Sequence, residues 1–335
     1  MTESFVRIGH LSTLYHTAFI LMGTDILSAK GIKAEWELFP SGPDIIRAME
    51  QGVIDLAYIG LPPFIIGLDR GLKASCVAGG HTEGTVLIAG SDIRPLARFP
   101  GMNEFLSQFN GMSIGCPPRG SIHDIIIRDL LHRYCIESIT VRNYTWADFL
   151  HDALDEGEII AAAGTPALAV ASRCYGHADI VVHPEHLWPF NPSYGLVATL
   201  ELLSDRVLLT SILTAHEQAS EMIRHEPERC ARIVAEHTGF VDAQYMMDVY
   251  QISPHYCASL PPEYITSTMD FAHTLHQLGF ISQVPKVHEV FDSTCIDLIH
   301  PGPHHYMSRF RNSPVSHYDN YCQDHRHYMD HYPIS

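Results

Sequence analysis

Pro117-Pro118-Arg119-Gly120-Ser121 opens a run of helical periodicity that extends from Ile122 to Cys135. Glycine permits close backbone approach, the Ser121 hydroxyl can donate and accept, and the first helical turn presents amides without intrahelical partners. That combination suits an anion or a polar group, and it also suits a plain N-cap. His123 falls in the same first turn, and Arg119 adds a charge beside it. Ser41-Gly42-Pro43-Asp44 has related chemistry ahead of the apolar set Ile45, Ile46, Ala48 and Met49. Gly60-Leu61-Pro62-Pro63 breaks a buried run, Ile54 to Ile59, and leads into a helix from near Phe64. A strand ending in a Gly/Pro loop that feeds a helix N-terminus is a ligand-site geometry in open α/β sheets. It is equally an ordinary αβα connection inside a core.

A second chemistry sits at the C-terminus. The segment from His300 holds seven of the chain's 23 histidines, five tyrosines and few aliphatic residues. His304 with His305 and His325 with His327, near Cys322 and His331, supply ligand types for Zn, Ni, Cu or Fe. The same composition also describes a flexible tail or a strap on the surface, one that binds metals loosely without function. The eight cysteines are scattered singly with no Cys-x-x-Cys pair, which fits free thiols in a reducing compartment.

Strands and helices alternate around these stretches. Phe5 to His10 reads as the first strand, Leu11 to His16 as a loop, and a helix continues through about Ala29. Ala34 to Phe39, Cys76 to Gly80, Val86 to Ala89, Val141 to Tyr144, Glu158 to Ala163, Ile180 to His183 and Gly195 to Thr199 read as further strands. Helical periodicity then dominates: Leu202 to His225, Pro227 to His237, Val241 to Gln251 and Glu263 to Leu278. At 335 residues and 46% hydrophobic content, the chain has material for two lobes with real cores. A net charge of −17 argues against nucleic acid and anionic membranes as partners, while a locally positive small-ligand site stays compatible with it. The N-terminus shows no basic n-region followed by a long apolar stretch, so no signal or membrane span is read there. The expected location is cytoplasmic, or periplasmic or extracellular if a leader has been removed.

Taken together, Ser41-Gly42, Ala48-Met49, Gly52, Asp55-Leu56-Ala57-Tyr58, Gly60, Pro62-Pro63 and Gly71 follow an order and spacing similar to the first lobe of type II periplasmic binding proteins. The pattern looks closest to the sulfonate/nitrate/thiamine-precursor branch of substrate-binding proteins. "FNGMSIG" and "FAHTLHQLGFI" resemble the second-lobe entry strand and the closing helix, so the likeness covers roughly residues 5–292. It implies an α/β, two-lobe type II periplasmic-binding-protein fold with a mixed sheet in each lobe and a central ligand cleft. Lobe 1 would comprise residues 1–90 and 197–300, lobe 2 residues 91–196, and residues 301–335 a His/Tyr-rich tail. By the same likeness Ser12, Thr13 and His16 line the cleft from the first loop, and Thr165 and Pro166 face it from the opposite side. Trp188, Phe190 and Tyr194, near the return crossing, pack on a ligand or stiffen the hinge.

The function so implied is a solute-binding protein of ABC-transporter type that closes about a small polar ligand, anionic or heteroaromatic. It requires no cofactor, and an ABC permease and ATPase are its expected partners. The ligand set is Ser12, Thr13, His16, Ser41, Gly42, Gly60, Leu61, Pro62, His81, Gly120, Ser121, His123, Thr165, Pro166 and Tyr194. Two enzyme types resemble the same fold. A thiamine-pyrimidine synthase would carry a lysine and a histidine on the segment matching residues 59–63, where this chain has Ile59 and Pro63, and it lacks clustered cysteines. A menaquinone-pathway lyase or dehydratase would need a cleft histidine (His16, His81 or His123) with a pKa near working pH. A metal carrier or sensor built on the tail is the third reading.

Overall fold

The computed structural model describes residues 4–307; His325 and His327 lie outside the described residues. The chain begins with β1 (Ser4–His10), α1 (Thr17–Met22), β2 (Ile32–Leu38), α2 (Gly42–Glu50), β3 (Leu56–Ile59), α3 (Leu61–Asp69) and β4 (Ala74–Thr82). It continues through β5 (Val86–Gly90), α4 (Met102–Leu106), β6 (Ser113–Cys116), α5 (Ile122–Arg133), β7 (Thr140–Asn143), α6 (Phe149–Asp155), β8 (Ala161–Gly164), α7 (Pro166–Tyr175), β9 (Ala178–Val182) and α8 (Pro184–Leu187). β10 (Pro192–Thr199) follows, then α9 (Leu200–Ser204), α10 (Arg206–His225), α11 (Pro227–Thr238), α12 (Ala243–Ile252), α13 (Pro262–Gln277), α14 (Val287–Val290) and α15 (Ile296–Ile299).

The strands form two five-stranded mixed sheets, β2-β1-β3-β10-β4 and β7-β6-β8-β5-β9. The first three strands of each are parallel, and the fourth runs antiparallel to both its neighbours. That fourth strand is the one delivered by a crossing between sheets: β5 enters the second, and β10 returns to the first. The crossings fall between Thr82 and Val86 and between Val182 and Pro192, a few residues before the divisions expected from the sequence at 90/91 and 196/197.

Local chemistry explains the boundaries. Ser41 caps α2 by accepting from the Asp44 amide, Pro43 sits in the first turn, and Gly52 at φ 68° follows the helix end. Asp55, the lone charge in its buried run, accepts from the Arg7 backbone amide and guanidinium at 2.9 and 3.0 Å. The alanines of β8 are fully buried and leave room for the helices packed over them. α1 stops at Met22 rather than running to Ala29, because Gly23 closes it with an amide bond to the Phe19 carbonyl. α3 begins at Leu61, before Phe64, since both prolines fit a first turn. The run expected from Leu202 to His225 divides at Asp205, whose side chain accepts from the Leu208 amide and starts α10.

Residues 300–307, the start of the expected tail, are docked on lobe 1. Tyr306 is fully buried, stacks on Tyr264 at 5.7 Å and donates to the Ser259 carbonyl at 3.0 Å. Its hydroxyl lies where a Cβ on Gly79 would stand, 1.9 Å away, so only glycine fits there. Among the described residues no helix is long and apolar enough to cross a membrane. Tyr306→Ala is expected to cost about 3 kcal/mol, as a buried aromatic truncation does. The urea unfolding midpoint measures it, and an unchanged midpoint would show that the strap contributes nothing to the core.

Candidate functional site

Gly80 follows Gly79 on β4, and adjacent strand residues face opposite sides of a sheet. Where Gly79 admits Tyr306, Gly80 admits Tyr194: a Cβ there would stand 2.0 Å from the Tyr194 ring. Tyr194 is the centre of a buried cluster of rings. His16 lies 3.9 Å from it, Tyr58 6.0 Å and Tyr15 6.4 Å, while His81 is parallel to it within 10°. Tyr15 in turn packs against His81 at 4.8 Å, and Tyr256 covers the other side of His81 at 4.6 Å. The cluster draws on the loop after β1, on β3, on β4, on β10 and on the segment before α13.

Hydrogen bonds fix several of these rings in a neutral state. His216 faces the Gly79 carbonyl with Nε2 at 2.8 Å and the Thr17 hydroxyl with Nδ1 at 2.9 Å. The carbonyl only accepts, so Nε2 carries the proton and Nδ1 accepts from Thr17. The Thr17 amide donates to the Tyr194 hydroxyl at 3.2 Å. His81 Nε2 donates to the Ser253 carbonyl at 2.7 Å. His81 Nδ1 and His16 Nδ1 are buried with no hydrogen-bond partner among the described residues. Burial pushes the His81 imidazole down to about 3 and those of His123 and His216 to about 4, and it holds His16 well below its ordinary value.

Across from this face stand groups of the second lobe. The Ser12 hydroxyl donates to the Asp148 carboxylate at 3.3 Å. Gly60, ahead of α3, approaches α5 so closely that a Cβ would lie 3.4 Å from Ile122 and from the Ser193 carbonyl. Thr85 Oγ1 and His123 Nδ1 are 2.9 Å apart, as Tyr15 and Ser193 hydroxyls are at 2.8 Å. Tyr245 on α12 donates to the Ala167 carbonyl in the first turn of α7 at 2.8 Å. Burial raises the pKa of Asp148, with the Ser12 hydrogen bond opposing it.

His16, His81 and Tyr194 thus meet in one cluster, with Thr13 beside them through the bond from the His16 amide to its carbonyl at 2.9 Å. Gly60, Leu61 and Pro62 begin the helix that touches the second lobe. Ser41 and Gly42 belong to the α2 cap, where Gly42 packs on Pro63. Thr165 accepts from the Leu168 amide to cap α7, with Pro166 in its first position. Gly120, at φ 85°, faces Ile66 and Phe280, and Arg119 lies over the Phe280 ring at 4.9 Å. Part of the amide set expected there is taken: the Gly120 amide donates to the Asp124 carboxylate at 2.9 Å, and the Asp124 amide donates to Ser121. At α2 the Ser41 hydroxyl likewise donates to Asp44. Two of the helix starts offered for an anion therefore hold a carboxylate of their own.

Trp188 and Phe190 belong to the crossing, not to the ring cluster. Trp188 stacks on Phe271 of α13 at 4.0 Å, and Phe190 packs on His304 and Tyr306. His304 and His305 diverge: the first leans on Phe190, while the amide of the second donates to Cys257 Sγ at 3.4 Å. Sequence reasoning passed over Tyr15, Thr85, Asp148, Ser193 and Tyr256. Tyr15 beside His16 was the one local signal, because the others reach the site only through contacts distant in sequence.

Residues 2–238 match the profile of the NMT1-like family. A stretch of 42 residues is 43% identical to an uncharacterized protein of Methanocaldococcus jannaschii, covering 12% of this chain and 29% of that relative's length. Among solved structures, the ligand-binding component of an ABC-type import system from Staphylococcus aureus with zinc bound superposes with a TM-score of 0.75 at 17% identity, over 89% of this chain and 100% of that one. The nitrate-binding protein NrtA from Synechocystis gives 0.73 at 12% identity over 99% of both chains. The alkanesulfonate-binding protein SsuA from Xanthomonas axonopodis pv. citri bound to MOPS gives 0.71 at 16% identity, over 87% and 99%. At these identities the likeness is one of fold: two lobes, each on a mixed sheet.

Neutral buried imidazoles make the fold sensitive to acid. Their folded pKa values lie below the ordinary 6.5, so the unfolded chain binds more protons between about pH 6.5 and 4. Stability is expected to fall through that window, by up to about 1.4 kcal/mol per pH unit for each such group. Urea midpoints across the window measure the slope. His123→Gln should reduce it by one proton's share, and an unchanged slope in that variant would contradict the assignment.

Proposed function

The chain belongs to the NMT1-like family, and from that premise we propose that it is a solute-binding protein of the ABC import type. Its ligand is a small, neutral heteroaromatic solute bearing hydrogen-bond donors. The observation that carries this reading is the buried cluster of Tyr15, His16, His81 and Tyr194, with two imidazole nitrogens, His16 Nδ1 and His81 Nδ1, unsatisfied among the described residues. When the lobes open, a flat solute ring would stack on these rings, and its donors would satisfy the free nitrogens.

Between the two ligand classes read from the sequence, electrostatics favours the heteroaromatic one. Asp148 stands at the contact with Ser12, and the α2 and α5 starts are filled by Asp44 and Asp124. A sulfonate or nitrate would meet carboxylates there. The acid–base alternative loses its support for a related reason: imidazoles driven down to about 3 and 4 are poor proton carriers at neutral pH. Closure of the lobes around the solute needs no cofactor in this reading, and a permease with its ATPase is the proposed partner.

Native mass spectrometry of the full chain with free pyrimidine and purine bases, alkanesulfonates and nitrate tests the proposal. A base should bind and be recovered with its mass unchanged, and Asp148→Asn should weaken it about tenfold, the worth of one charge-assisted hydrogen bond. Binding of a sulfonate or nitrate that tightens in Asp148→Asn would overturn the ligand class. Recovery of the solute with an altered mass would overturn the binding role.

A further inference from the structure

The strap that begins at His300 crosses a cluster remote from the ring face. His300 Nδ1 is 3.1 Å from Glu217 Oε1, its Nε2 is 3.7 Å from Cys257 Sγ, and the His305 ring stands perpendicular to the His300 ring at 5.1 Å. The ligand atoms of Glu217, Cys257 and His300 lie within 4.8 Å of one another. From these residues we propose a binding site for one thiophilic transition-metal ion of the Zn²⁺ type. Its protein ligands are Cys257 Sγ and His300 Nε2, and Glu217, the third member of the cluster, orients His300.

The distances fit that assignment. A tetrahedral ion with Zn–S of about 2.3 Å and Zn–N of about 2.05 Å sets sulfur and nitrogen about 3.5 Å apart. The observed 3.7 Å needs only a small side-chain adjustment. Glu217 accepts from His300 Nδ1–H, which leaves the Nε2 lone pair toward Cys257. This is the carboxylate–histidine arrangement that fixes the tautomer of a metal-bound imidazole. The His305 amide donates to the sulfur at 3.4 Å, and the Ser259 hydroxyl lies 3.1 Å from it, able to donate to a thiolate. Arg224 holds Glu217 at 2.9 Å and balances its charge. Pro303 O, 3.2 Å from His300 Nε2, offers the competing arrangement, in which a doubly protonated ring donates to Glu217 and Pro303 with no metal.

An ion held there would tie the strap (His300) to the segment before α13 (Cys257), beside α10 (Glu217). The strap carries Tyr306, which packs on Phe190 in the return crossing at 5.6 Å. The site is independent of the solute proposal, since none of its residues belongs to the ring face.

Cobalt(II) titration of the full chain, followed by absorption, provides the test. One equivalent of Co²⁺ should give tetrahedral d–d bands and a thiolate-to-cobalt charge-transfer band in the near ultraviolet, bleached by Zn²⁺. The band should vanish in Cys257→Ser and persist in Cys322→Ser. Glu217→Gln, which keeps the side-chain shape, should retain the band while weakening Co²⁺ about 10- to 100-fold. A wild-type chain with no charge-transfer band, or a band that survives Cys257→Ser, would overturn the site. So would a Glu217→Gln chain with unchanged affinity.

Discussion

The two crossings between lobes are bonded to each other, and most of the site depends on that junction. Glu83 in the outgoing segment and Phe190 in the returning one both have left-handed backbone, at φ 61° and 52°. Residues other than glycine adopt that region rarely and need surrounding structure to hold them there. Here the Glu83 amide donates to the Asn191 carbonyl at 2.8 Å, and the Phe190 amide donates to the Glu83 carboxylate at 2.8 Å. His255 approaches the other carboxylate oxygen at 3.6 Å, and the Thr82 amide reaches the His255 carbonyl at 3.1 Å. The junction aligns β5 with its new sheet and returns β10 to the old one. It thereby sets Ser193 and Tyr194 opposite Tyr15 and His16.

From that alignment follows the chemistry of the face. β10 lies between β3 and β4 and Tyr194 is paired with His81 of β4, so Tyr194 stands on a central strand and not on a loop. Glycines at 79 and 80 let one tyrosine approach each side of β4. The rings then bury imidazoles too deeply to charge, and neutral acceptors result. In the proposed reading this cluster would recognise a solute by shape, stacking and donor placement, without the cationic groups that an anion would need in a protein carrying −17 overall.

Much of the scaffold was legible because it rests on local rules. The helix starts at Ser41, Ser121 and Thr165 are sequence-local caps, and the ends at Gly52 and Gly239 are left-handed glycines. The family likeness supplied the two lobes. The content of the site was less legible. Ser121-x-x-Asp124 has the spacing of a cap, and the Asp124 carboxylate takes the Gly120 amide. The contacts Tyr15–Ser193, Ser12–Asp148, Thr17–Tyr194 and Thr17–His216 join residues more than 130 positions apart, and no periodicity reports them. The strap was read as loose because its composition is polar. Its anchor, Tyr306, depends on a cavity left by a glycine more than two hundred residues earlier.

The central claim is that the lobes close about the Glu83–Asn191 junction onto a solute held at the ring face. Small-angle X-ray scattering of the full chain, with and without the solute that mass spectrometry identifies, addresses it most directly. The account predicts a smaller radius of gyration at saturation, and predicts that Glu83→Ala, which removes the carboxylate from the junction, diminishes the change while the fold persists. A radius that stays constant while the solute is bound would contradict it.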